Sequence, residues 1–281
     1  MKGLARNILF LFGLALVFVI TGCKAEKTAK ETKEVKEVKV VGEEVDYASG
    51  GITLKGFLAY DSAMKGKRPG VIVVHEWWGH NEYARKRARM LAELGYTALA
   101  LDMYGEGKQA AHPEDAQKFS SEIANNMDLA KERFNAAVDA LKAHESVDPE
   151  RIAAIGYCFG GSVVLQMARS GADLDAVVSF HGGLATPSPA EPGGVKAKIL
   201  VCHGEADELI PAGQVEAFKE EMDKAGADYE FISYTGAKHS FTNPEADKYA
   251  AEFNIPLAYD MGADRKSWAD MQGFLKDVFK E

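Results

Sequence analysis

The chain has 281 residues, 47% of them hydrophobic, and a formal net charge of −9. Its length suits one large α/β domain, and its apolar content supports a substantial core. The acidic balance argues against nucleic acid or an anionic membrane surface as a partner.

Met1-Lys2 and Arg6 form a positive start, Ile8 to Ile20 is almost wholly apolar, and Ile20-Thr21-Gly22-Cys23 closes the run with small residues before a cysteine. This pattern predicts a bacterial lipoprotein leader over residues 1–22, cleaved before Cys23, with lipid on that sulfur. The apolar run is shorter than the ~20 residues that span a bilayer, which argues against the alternative of an uncleaved anchor. Either form places the chain in the cell envelope, held to a membrane on its extracytoplasmic face. Residues 23–44 then read as a solvated tether: lysines recur at every third position from Lys24 to Lys39 between glutamates, with too few large apolar residues to bury a core. Residues 45–281 are the expected folded domain.

That domain opens with a predicted antiparallel hairpin, Asp46-Tyr47-Ala48 and Ile52 to Tyr60 around Gly50-Gly51. Short apolar runs at Val71–Val74, Tyr96–Leu101, Ile152–Ile155, Val177–Phe180 and Ile199–Val201 read as parallel strands buried on both faces. Amphipathic stretches at Tyr83–Leu94, Ala130–Ala143 and Val215–Ala225 read as crossover helices, and Trp268–Phe279 as a C-terminal helix. Thr186 to Gly194 is a loop that either borders a pocket or only connects elements. His75-Glu76 followed by His80 has the look of a zinc helix, but the spacing is one residue too long and a strand precedes it, so no metal or other cofactor is expected. His181 and His203, beside glycines at strand ends, read as structural, and His112 and His144 as surface residues.

The chemistry centres on Gly156-Tyr157-Cys158-Phe159-Gly160-Gly161. Glycines two before and two after a nucleophile suit a sharp strand-to-helix turn, and a helix N-terminus beneath Cys158 favours negative charge on sulfur. The plain alternative is a small buried cysteine in a glycine-rich turn. Downstream, Asp207 lies in a turn after the strand Lys198–His203, and His239 follows the strand Tyr229–Tyr234. Nucleophile, acid and histidine thus come in the order that an α/β-hydrolase uses. The three cysteines have separate explanations, with Cys23 for lipid, Cys158 for chemistry and Cys202 in a buried strand, so no disulfide is expected.

With Val73-Val74-His75-Glu76-Trp77-Trp78-Gly79, Leu101-Asp102-Met103-Tyr104-Gly105, the Cys158 turn, Cys202-His203-Gly204-Glu205-Ala206-Asp207 and His239-Ser240-Phe241, the chain resembles the dienelactone hydrolase family of α/β-hydrolases. The resemblance implies a mostly parallel central sheet flanked by helices on both faces. It implies Cys158 as nucleophile, His239 as base and acid, Asp207 as its orienting carboxylate, and Glu76 as a carboxylate touching the resting thiol; a helix-cap or surface carboxylate is the alternative for Glu76. Backbone N–H groups of Phe159 and Trp77 would form the oxyanion hole, and Trp78 and Tyr104 would border an apolar substrate pocket. The expected reaction is cleavage of a small-molecule ester or lactone through a thioester. One departure matters: the family's dienelactone-cleaving members bind a substrate carboxylate with arginines after the Asp-x-Tyr and His-Ser-Phe segments, where this chain has Gly105-Glu106-Gly107-Lys108 and Thr242-Asn243-Pro244. The expected substrate is therefore not strongly anionic. A non-catalytic envelope binding module and a thiol redox protein are the readings from other classes.

Overall fold

The computed structural model describes residues 37–280. The leader, Cys23 and the lysine-rich stretch as far as residue 36 lie outside the described residues.

The first hairpin pairs β1 (Val40–Ser49) with β2 (Ile52–Asp61) in antiparallel register, from Ser49↔Ile52 to Val40↔Asp61. Gly50 and Gly51 both take positive φ, 57° and 81°, as a two-residue turn matching strand twist requires. β1 begins at Val40, so Val40–Glu44, which the sequence reading placed in the tether, belong to an edge strand. Backbone pairing with β2 recruits this polar segment, and Arg85 adds an ion pair to Glu44 at 2.5 Å.

Six further strands follow: β3 (Arg68–Val74), β4 (Thr97–Ala100), β5 (Val147–Tyr157), β6 (Ala176–Phe180), β7 (Lys198–Gly204) and β8 (Tyr229–Tyr234). The sheet order is β1-β2-β4-β3-β5-β6-β7-β8, antiparallel through β4 and parallel from there on. This is an α/β-hydrolase fold. The helices are α1 (Glu82–Glu93), α2 (Pro113–Ala124), α3 (Met127–Lys142), α4 (Phe159–Arg169), α5 (Ala212–Ala225), α6 (Ala246–Phe253) and α7 (Met261–Phe279).

Strand side chains alternate between two cores, which explains why the apolar runs are continuous. Ile72, Val74, Ile152, Ala154, Val177, Ile199 and Val201 pack under α2, α3, α4 and α5. Val71, Val73, Ala153, Ile155, Val178, Leu200 and Cys202 pack under α1 and α7. Helices α2 and α6 had no counterpart in the sequence reading. The strand ends place the chemistry: Val74 pairs with Gly156 and Tyr157 with Phe180, so the loops after β3, β5 and β6 emerge side by side.

Candidate active site

Cys158 joins β5 to α4 with φ 53° and ψ −116°, a conformation strained for any residue bearing a Cβ. The turn closes because its neighbours lack side chains. A Cβ on Gly160 would collide with the Val74 and His75 carbonyls, and one on Gly156 with the Gly160 carbonyl. Glycine is thus required for β5, α4 and the end of β3 to approach. The Cys158 amide donates to Phe180 O at 3.0 Å and to His181 Nδ1 at 3.1 Å.

Asp207 follows β7, where its Oδ1 accepts from the Leu209 amide at 2.9 Å and its Oδ2 lies 2.8 Å from His239 Nδ1. Both side chains are buried. With Nδ1–H donated to the carboxylate, Nε2 is left for the Cys158 sulfur. Burial alone would lower the His239 pKa, but the Cys158 and Asp207 charges and hydrogen bonds outweigh it and raise it to about 10. The arrangement favours an imidazolium at neutral pH.

Glu76 departs from its expected place. Its oxygens accept from Ser240 Oγ at 3.1 Å and Asn243 Nδ2 at 2.5 Å, and no hydrogen bond joins it to Cys158 among the described residues. A buried carboxylate needs donors, and the loop after His239 supplies two where the thiol would supply one weak one. Glu76 therefore ties that loop to the turn after β3. Burial raises its pKa, opposed by the hydrogen bonds from Asn243 and Ser240 and by the His239 and Arg87 charges.

The Phe159 amide opens α4 and the Trp77 amide lies in the turn after β3; neither donates a hydrogen bond to a described residue. The Trp77 carbonyl accepts from Tyr104 Oη at 3.0 Å, which fixes the turn. Tyr104 packs against Phe159, His75 and Phe119, and burial together with the Cys158 charge raises its pKa. Trp78 corrects the expected pocket: it is 3% exposed, with its ring stacked on Tyr249 at 4.4 Å and close to Phe253, so it seats α6. A mostly apolar cavity of about 110 Å³ flanks the first turn of α4 instead, lined among others by Ile123, Met127, Phe159, Val163 and Pro187. The loop after β6 therefore borders a pocket.

His181 was read as structural, yet it touches the Cys158 amide. Its one sequence signal is a strand end before Gly182-Gly183, which does not by itself distinguish it from His203.

The dienelactone hydrolase family pattern matches residues 54–279. Protein usf of Aquifex pyrophilus is 32% identical over 212 residues, covering 74% of this chain and 90% of that protein. An uncharacterised protein of Caenorhabditis elegans is 39% identical over 156 residues, covering 53% of this chain and 94% of its own. A solved structure, a dienelactone hydrolase-like promiscuous phosphotriesterase from metagenomic libraries, matches with TM-score 0.79 at 36% identity over 85% of this chain and 99% of that one.

Proposed function

The chain belongs to the dienelactone hydrolase family of α/β-hydrolases, and from that premise we propose that it cleaves a neutral carboxylic ester or lactone with Cys158, His239 and Asp207. The observation that carries this reading is the Asp207–His239 hydrogen bond of 2.8 Å, which leaves Nε2 for the Cys158 sulfur. The thiolate adds to the carbonyl carbon, and the Phe159 and Trp77 amides receive the oxyanion, each such donor being worth ~3 kcal/mol. The intermediate collapses to a thioester as His239 gives its proton to the departing alkoxide. His239 then takes a proton from water, the hydroxide adds to the thioester, and the acid departs as the thiolate is restored.

Two features support a neutral substrate. Asn243, in the segment where the family's dienelactone-cleaving members carry an arginine, spends its amide on Glu76. Glu106, near the other such position, is exposed and 3.5 Å from Lys108. The cavity beside Phe159 suits a short apolar group on the acyl or alcohol side. The phosphotriesterase relative's name also makes a neutral phosphotriester a worthwhile second substrate.

The test is hydrolysis of p-nitrophenyl butyrate by the purified protein and by Cys158→Ala. Turnover by the first and loss by the second support the reading; equal rates overturn it. For substrate charge, kcat/KM is compared for a free carboxylate and its methyl ester. The ester is expected to be favoured. A clear preference for the free acid would sink the neutral-substrate reading and point to Lys108, Lys118 and Arg133, which border a 240 Å³ cavity beside Tyr104.

We propose also that the mature chain starts at Cys23, carries lipid there and works in the cell envelope. The leader's charge pattern and its Thr21-Gly22-Cys23 end support this. Cys23→Ala is expected to abolish fatty-acid labelling of the protein; labelling that persists would remove the proposal.

A further inference from the structure

A hydrogen-bonded bridge runs behind the nucleophile, joining elements that are distant in sequence. His181 follows β6 directly beside the turn that carries Cys158 and is almost fully buried. Its φ is 41°, in the left-handed region that disfavours a bulky side chain, and its amide donates to Cys202 O at 2.8 Å. The fold holds this residue in a strained conformation, and the ring's partners supply a reason. Nδ1 accepts from the Cys158 amide at 3.1 Å, while Nε2 lies 2.7 Å from Thr242 Oγ1.

A peptide N–H only donates, so Nδ1 is the unprotonated nitrogen and Nε2–H donates to Thr242. The ring is accordingly neutral: burial first, then the nearby His239 and Arg87 charges, hold its pKa well below the usual value. The Thr242 hydroxyl shares a hydrogen bond with Tyr83 Oη at 2.6 Å. Tyr83 lies on α1, as does Arg87, whose guanidinium donates to Tyr83 Oη, to Thr242 O at 2.7 Å and to Asp264 Oδ1 of α7 at 2.6 Å. Thr242 sits three residues after His239, and the two histidine rings meet edge to face at 5.3 Å. The bridge thus ties the nucleophile's own amide to the loop that carries its base, and anchors both to two helices.

We propose that His181 is a positioning residue: by joining the Cys158 amide to Thr242 it sets the separation between the Cys158 sulfur and His239. The inference rests on the Cys158–His239–Asp207 reading. Separation matters because proton transfer needs hydrogen-bond reach, and a misplacement of about 1 Å costs on the order of a hundredfold in rate.

The test uses His181→Phe, which keeps a ring but removes both nitrogens, His181→Asn, which offers an oxygen near the Nδ1 position and tolerates positive φ, and the pair Thr242→Val and Thr242→Ser. Measured for each are kcat and KM on p-nitrophenyl butyrate, the pH profile of iodoacetamide alkylation at Cys158, and Tm. His181→Phe is expected to lower kcat at least tenfold with KM within about threefold, and to move the alkylation midpoint to higher pH. His181→Asn keeps more activity than His181→Phe, Thr242→Val reproduces part of the loss, and Thr242→Ser recovers it. His181→Phe together with Thr242→Val is no worse than the worse single variant, because both break one bridge. Unchanged kcat and alkylation profile in a folded His181→Phe, or effects confined to Tm, would overturn the proposal. If His181→Phe does not fold, the Thr242→Val and Thr242→Ser pair decides on the same readouts. Activity persisting in Cys158→Ala would instead sink the triad reading.

Discussion

Cys158 and Cys202 occupy opposite environments. Cys158 is partly exposed beside His239, whereas Cys202 is fully buried in β7, where burial raises its pKa to about 12 despite a hydrogen bond from Tyr234. Iodoacetamide is therefore expected to label Cys158 first and to abolish turnover in proportion; mass mapping that finds Cys202 labelled first would refute this. His239→Ala is expected to lower kcat about ten-thousand-fold or more and Asp207→Ala by less, since in the proposed mechanism one moves protons and the other orients. Steady-state kinetics on both variants checks the order. The three positions of the proposed triad, Cys158, Asp207 and His239, stand out in the sequence because each lies at a strand end in a local frame of glycine or turn residues. The partners of Glu76 were not: Ser240 and Asn243 lie more than 160 residues away in sequence, and no local pattern encodes such a contact. The same holds for His181, whose importance lies in what the fold brings to its two nitrogens.

Among elements, those the sequence reading lacked are the ones that cover the site. Only Ala116 and Ile123 of α2 and Ala246 of α6 are buried, so neither helix carries the broad apolar stripe that marks a helix in sequence. Both gain their place from neighbours. Trp78 and His112 meet Phe253 of α6, and Phe119 of α2 meets Tyr104. Trp78→Ala is expected to destabilise the protein by about 3–5 kcal/mol, as removal of a buried aromatic does, and to loosen α6. A melt unchanged from the parent would refute that seat. Met127, half-buried at the start of α3, lines the cavity beside Phe159. Met127→Trp should narrow it, lowering kcat/KM for p-nitrophenyl hexanoate more than for the acetate. An equal change for both esters would place the acyl group elsewhere.

For the whole molecule, buried histidines lower stability toward acid pH. His75, His80 and His181 all have pKa values lowered by burial, His80 to about 3. Unfolded, each titrates near 6.5, so below that pH the unfolded chain binds more protons than the folded one. Their contribution is complete above about pH 6.5 and is lost as pH falls toward the folded values, by at most ~1.4 kcal/mol per pH unit for each ring. His239, raised to about 10, stays protonated in the folded state, so it opposes this slope near pH 6.5, where the unfolded ring gains its proton, and adds none once that ring is fully protonated. Chemical denaturation from pH 7 to 4 is expected to show falling stability, with a shallower fall in His80→Leu. A flat profile would contradict the burial of these rings.

What the sequence determined by itself follows from short-range physics. Continuous apolar runs specify strands buried on both faces, glycines at fixed offsets specify the turn at Cys158, and the order of Cys158, Asp207 and His239 along the chain points to the hydrolase arrangement. The tertiary structure decided where polar and weakly patterned groups go: Val40–Glu44 to a sheet edge that offered backbone partners, Trp78 to α6, Glu76 to the loop after His239, and His181 to the Cys158 amide. These outcomes depend on which hydrogen-bond donors and apolar surfaces the sheet order brings together, and that pairing is a property of the folded chain, absent from any one segment.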